Sequence, residues 1–93
     1  MIIKHDQSET KGIFEAIEEG VKIGEMTYSV AGTDKIIIDR TEVSPESKGQ
    51  GVGKIMLGKA VEYARDHQLK ILPLCPFAKR MFEKDVDIRD VLA

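Results

Sequence analysis

A chain of 93 residues suits one domain with one core, so residues 1–93 are expected to form a single unit. Sixteen acidic residues against fourteen basic ones leave a net charge of −2, which implies no polyanion-binding stripe, and few aromatics with no Trp argue against a stacking platform for single-stranded nucleic acid. No apolar run approaches a membrane span, Met1 to Asp6 lacks a signal-peptide pattern, and the single cysteine, Cys75, cannot form an internal disulfide; the expectation is a cytoplasmic protein without nucleic-acid or membrane partners.

In chain order, Met1 to Lys4 reads as a short edge strand and His5 to Lys11 as a polar loop. Ile13 to Ile17 is strand-like and ends at the turn signal Glu18-Glu19-Gly20. Met26, Tyr28 and Val30 then alternate with polar residues, the period of a half-buried strand. Val21 and Ile23 fall on the opposite phase, which predicts a bulge at Gly24. After the hairpin turn Ala31 to Asp34, Lys35 to Val43 forms a strand whose Ile36-Ile37-Ile38 run suits a central position. These strands read as an antiparallel meander.

Pro45 stops the last of them. Beyond it, Val52, Ile55, Met56, Ala60, Val61 and Ala64 recur at helical spacing, with the helix ending at Asp66-His67-Gln68. Leu69 to Leu74 returns as a strand, and a strand–helix–strand crossover places it parallel to Lys35–Val43. Pro73 has no N–H for a ladder bond, so the two strands are expected to part there. Pro76 suits the first position of a second helix, with Phe77, Met81 and Phe82 as its apolar contacts, and Asp87 is expected to cap a last turn. The class is α/β: a mixed sheet, an antiparallel meander followed by a β-α-β crossover.

Between the central strand and the first helix stand Gly49, Gly51 and Gly53. Glycine permits a sharp turn and close approach of a ligand, while a helix start offers unpaired N–H groups and a positive dipole end. The combination is an anion site aimed at phosphate. A dinucleotide G-x-G-x-x-G fails because Lys54 or Met56 stands where the third glycine belongs, and a Walker A motif fails at Lys48 and Ile55. Lys48-Gly49-Gln50-Gly51-Val52-Gly53 instead resembles the pyrophosphate loop of the GNAT superfamily of N-acetyltransferases, (Gln/Arg)-x-x-Gly-x-(Gly/Ala), with Lys48 in the Gln/Arg slot. Thr41-Glu42-Val43 and Leu72-Pro73-Leu74-Cys75-Pro76 add a likeness to a small, minimal GNAT-like subfamily. The paired N-terminal helices that form the acceptor wall in the larger superfamily have no counterpart here, nor do its C-terminal strands.

The resemblance implies a GNAT-like fold binding acetyl-CoA, with Lys48, Gly49, Gln50, Gly51, Val52, Gly53 and Lys54 at the pyrophosphate and the backbone near Val43 pairing with the pantetheine arm. It implies acetyl transfer to an unidentified amine or thiol; the alternative is a non-catalytic acyl-CoA sensor or carrier. Two side chains are candidates for chemistry. Cys75 sits at the start of the second helix, where the dipole and the nearby Lys79 and Arg80 favour a thiolate able to accept the acyl group; a free cysteine is also a common small hydrophobe of cores. Glu42, near the end of its strand, is a candidate general base, or a solvated carboxylate. His5 and His67 have no ligand partner at useful spacing, so no metal is expected, while Tyr28 and Tyr63 fit packing positions. A monomer or weak homodimer is expected.

Overall fold

Apolar residues at every second position bring neighbouring strands into one register and onto one face. In the computed structural model, which describes all of Met1–Ala93, five strands run in the order β1 (Ile2–Gln7), β2 (Lys11–Glu18), β3 (Val21–Ala31), β4 (Lys35–Val43) and β5 (Lys70–Pro73). The first four make the antiparallel meander, and β5 lies parallel to β4 from Lys35 opposite Lys70 to Ile38 opposite Pro73. Phe14 stands opposite Met26, Ala16 opposite Gly24 and Tyr28 opposite Ile38, and every one of these residues is buried. The helices α1 (Val52–Asp66) and α2 (Pro76–Lys84) bring Val52, Met56, Ala60, Ala64, Ala78 and Phe82 to the same core. The other face of the sheet is free of helices. Ile13, Ile17 and Ile37 lie half-buried there, among Glu15, Lys22, Glu25, Arg40 and Glu42.

Three expectations are corrected. The polar loop assigned to His5–Lys11 shrinks to residues 8–10, because β1 continues to Gln7. His5 earns its strand position through tertiary partners: its ring stacks on Phe14 with centroids 4.1 Å apart, and Nε2 lies 2.7 Å from the Tyr28 hydroxyl. Ile55 is 43% exposed, and Leu57 takes its place in the core. The final turn, Val86–Val91, is capped by Asp85 rather than Asp87; the Asp85 carboxylate accepts the Asp87 N–H at 2.9 Å.

Two bulges interrupt the meander. The first was expected at Gly24, and the register between β2 and β3 slips beside it, leaving Ile23 as the extra residue. The second has no sequence signal. Tyr28 pairs with Ile38 and Thr27 with Arg40, so Asp39 is one residue too many on β4. A strand alternates faces with period two, so one inserted residue reverses the phase. Before the bulge the even positions Ile36 and Ile38 face the helices; after it the odd positions Thr41 and Val43 do, opposite Met26 and Gly24.

Beyond Pro73 the two parallel strands separate. The N–H groups of Leu74 and Cys75 both turn to the single carbonyl of Ile38, at 3.0 and 3.3 Å, and Thr41–Val43 are left without a neighbour on that side. The far edge of β5 is closed by the end of the chain, where Leu92 bridges Ile71 and the Ala93 N–H bonds the Ile71 carbonyl at 2.8 Å.

Candidate functional site

A short 3₁₀ turn, Pro45–Ser47, redirects the chain from β4 into the glycine loop. Gly49 and Gly51 have φ of +85° and +77°, a left-handed conformation that L side chains rarely adopt, and Gly51 is the N-cap of α1. Gly53 has a different reason to lack a side chain: a Cβ there would lie 2.8 Å from Cζ of Phe77 on α2.

This geometry leaves a row of unused donors. The N–H groups of Gly49, Gly51, Val52, Gly53 and Lys54 bond no backbone carbonyl, whereas those of Lys48 and Gln50 reach Pro45 and Ser47 at 3.5 and 3.4 Å. The same five residues line a cavity of about 500 Å³ in the parting between β4 and β5, together with Thr41, Val43, Ser47, Lys48, Phe77 and Arg80. Lys48, Lys54 and Arg80 have no ion-pair partner in the chain, and no carboxylate lines the cavity. Five free amides, a helix N-terminus and three unpaired cations make an anion-binding end, while Val43, Val52 and Phe77 supply an apolar wall.

Of the residues expected at a cofactor, Val43, Lys48, Gly49, Gly51, Val52, Gly53 and Lys54 converge on this cavity. Gln50 does not; its side chain turns back to the Glu46 carbonyl at 3.5 Å. Thr41, Ser47, Phe77 and Arg80 join the lining without having been singled out for it. Pro45 signalled the turn that brings Ser47 inward, but Thr41 depends on the unforeseen bulge.

Cys75 does cap α2: its Sγ accepts the Ala78 N–H at 3.4 Å. The sulfur lies one layer behind the cavity wall, 3.4 Å from the hydroxyl of Thr41, and the residue is only 5% exposed. Glu42 takes the other side of β4. It faces Glu25 on the helix-free surface, its side chain is 59% exposed, and its carboxylate pairs with Arg40 Nε at 3.0 Å. Arg40 and Lys22 both bridge to Glu25, and Lys22 reaches Glu15 at 3.0 Å, so five charges form one chain across this face. The hydrogen bond from Lys22 is the main cause that holds the Glu25 carboxyl below its usual range. A second depression of about 500 Å³ on that face is lined largely by polar groups, and two of them, Ser29 and Asp39, already bond each other at 2.6 Å.

His5, Tyr28 and Tyr63 meet at the opposite end of α1, far along the fold from the loop. Gln7 Oε1 accepts from the Tyr63 hydroxyl at 2.7 Å, and the Tyr28 hydroxyl is buried beside it. Burial pushes the His5 imidazole below its usual range, with His67 adding to the effect and Asp6 opposing it; burial likewise holds the Tyr28 phenol well above its own.

A family model described as GCN5-related N-acetyl-transferase matches residues 13–91. The chain is similar to a GCN5-like protein of Staphylococcus aureus solved by NMR, with 41% identity, 97% of this chain and 87% of that chain covered, and a TM-score of 0.72. More distant structures share the fold alone. One is the ribosomal-protein-S18-alanine N-acetyltransferase of Escherichia coli, with 17% identity, a TM-score of 0.72 and 84% of this chain covered. This chain spans only 53% of that enzyme. Another is an aminoglycoside N-acetyltransferase solved in complex with CoA, at 17% identity and a TM-score of 0.62, covering 83% of this chain and 67% of that one. No curated protein matches the sequence.

Proposed function

We propose, because the chain belongs to the GCN5-related N-acetyltransferase family, that it binds acetyl-CoA in the parting between β4 and β5 and transfers the acetyl group to an amine. The observation that carries this reading is the coincidence of free amides with the cavity lining: the same five loop residues, Gly49, Gly51, Val52, Gly53 and Lys54, provide both. A pyrophosphate there accepts several N–H groups at once, and Lys48, Lys54 and Arg80 neutralise its charge and that of any further phosphate. The pantetheine arm then lies along the free edge of Thr41–Val43, whose backbone groups lack a strand neighbour on that side.

Because β4 has no partner there, the two faces of the sheet communicate through the opening. The acceptor amine approaches from the helix-free face, where Glu42 stands. Its nitrogen attacks the thioester carbonyl carbon, the C–N bond forms and the C–S bond breaks. Glu42 receives the amine proton, directly or through water, and CoA departs as a thiolate that takes up a proton. The ion pair with Arg40 orients the carboxylate toward that face. Holding the amine and the thioester in line supplies a large part of the rate enhancement open to such a site. Cys75 offers a relay: the thioester carbonyl passes to Sγ, the thiol proton leaves with CoA, and the amine then attacks the acetyl-cysteine. Thr41 and the Ala78 N–H are the groups that touch Sγ in either role.

The test follows free CoA and acetylated product when the protein is incubated with acetyl-CoA and a panel of primary amines. Release that depends on the amine and falls in Glu42→Gln supports transfer. Tight CoA binding without release, for every amine offered, would mean a sensor or carrier. A hydroxylamine-labile acetyl mass on the Cys75 peptide, with no turnover in Cys75→Ala, selects the relay; full turnover by Cys75→Ala leaves the cysteine as core and cap.

A further inference from the structure

Edge strands expose a row of unpaired backbone groups, and proteins that stay monomeric usually blunt them with Pro, bulges, inward charges or charged side chains such as Lys. This sheet has two edges. The β5 edge is short and closed by Leu92 and Ala93. The β1 edge is six residues long, contains no proline, and runs beside β2 without a register break from Ile2 opposite Ile17 to Gln7 opposite Gly12. It is open.

The backbone phase of β1 says which groups face outward. The hairpin closes with the Ser8 N–H bonding the Lys11 carbonyl at 2.8 Å, so the hydrogen-bonded residues toward β2 are the even ones and the free N–H and C=O groups belong to Ile3, His5 and Gln7. Lys4 and Asp6 flank His5, both exposed on the helix-free face, and neither has an ion-pair partner in the chain. Two opposite, unpaired charges two residues apart on an edge are self-complementary under a two-fold axis.

We propose that β1 is a homodimer edge: a second copy of this chain pairs with it antiparallel about a two-fold axis through His5, joining two five-stranded sheets into one of ten. In this register Ile3 faces Gln7 of the other copy, His5 faces His5, and each Lys4 stands opposite an Asp6. The neighbouring registers are worse. A shift of the axis by one residue in either direction sets Lys4 against Lys4 or Asp6 against Asp6, and like charges directly opposite are unfavourable. The symmetry is that of the commonest closed oligomer, with the same patch used by both copies. Strand pairing of this length buries on the order of a few hundred Å² per partner, below the ~800 Å² of a standard interface, so the dimer is weak and concentration-dependent. This inference is independent of the acetyl-transfer reading, because β1 lies at the edge remote from the β4–β5 parting.

Charge reversal on exposed residues tests it without threatening the fold. Sedimentation equilibrium over about a hundredfold range of concentration is expected to give a monomer–dimer equilibrium for the full chain. Lys4→Asp and Asp6→Lys singly should each weaken dimerisation about tenfold or more, replacing two opposite-charge pairs with two like-charge ones. The double variant Lys4→Asp/Asp6→Lys restores complementary pairs and should return the dimer. Amide exchange of Ile3, His5 and Gln7 should slow as the dimer forms. A chain that stays monomeric throughout overturns the proposal. So does a dimer indifferent to the single reversals or not recovered by the double one, since that dimer uses another face.

Discussion

Replacing Gly51 by valine tests the loop most directly. Its φ of +77° lies where a Cβ costs roughly 1–2 kcal/mol, and more for a β-branched side chain, although no heavy atom stands within 4 Å of the position a Cβ would take. Strain of that size lowers the melting temperature of a domain this small by about 4–16 °C, a loss readable by circular dichroism. The effect on ligand is larger. A hydrogen bond to a charged group contributes about 1.5–3 kcal/mol, so withdrawing even two loop amides from a pyrophosphate costs about 3–6 kcal/mol, more than a hundredfold in Kd. Titration calorimetry with CoA below the melting transition should therefore show binding lost from a folded protein. Lys48→Ala is the control: its charge is exposed and screened, and affinity should fall only severalfold. A folded Gly51→Val that binds CoA nearly as well as the parent would falsify the backbone cradle.

Other outcomes follow from the same geometry. Acetyl-CoA at a hundredfold excess over its Kd stabilises the folded chain by about 2.7 kcal/mol, a rise of about 10–20 °C in melting temperature, and ATP or NAD at equal concentration should not match it. Burial depresses the His5 pKa in the folded state, so the unfolded chain binds the proton more readily; stability is fully present above the unfolded value of about 6.5 and is lost as pH falls through the folded one. Melts between pH 7.5 and 5 should show that slope, and His5→Gln should flatten it. At the C-terminus of α1, Gln68 has φ of +58° in a Schellman turn closed by the Leu69 N–H on the Ala64 carbonyl at 2.8 Å. Gln68→Gly should stabilise the protein by about 0.5–1 kcal/mol by relieving that conformation, as measured in urea.

Much of the fold was legible because its signals are local. The order of strands and helices, the parallel pairing of β4 with β5, the separation at Pro73 and the helix start at Pro76 each rest on a residue whose covalent chemistry limits the backbone. The glycine loop was legible for the same reason. What the sequence hid depends on partners distant in the chain. His5 reads as loop until Phe14, Tyr28 and Tyr63 surround it. Asp85 and Asp87 are chemically equal as caps, and only the path of the chain after α2 separates them. The place of Cys75 at the start of α2 is legible from Pro76, yet whether its sulfur faces the cavity or the core depends on Thr41, 34 residues away. The side on which Glu42 emerges could not be read at all, since Asp-Arg-Thr carries no mark of a bulge.

That bulge makes the chemistry of β4 a matter of register as well as composition. Most substitutions near the parting alter one side chain and leave its neighbours facing where they did. Were the bulge flattened with no residue lost, so that Asp39 stood opposite Thr27 and Arg40 opposite Met26, Thr41, Glu42 and Val43 would stay in the chain and exchange their sides. The carboxylate would enter the cavity otherwise lined by cations and free amides, and Thr41 and Val43 would move to solvent. Relatives aligned across this strand are therefore compared with the bulge in view: a strand one residue shorter and without the bulge presents the same sides, whereas equal length without the bulge describes a different surface.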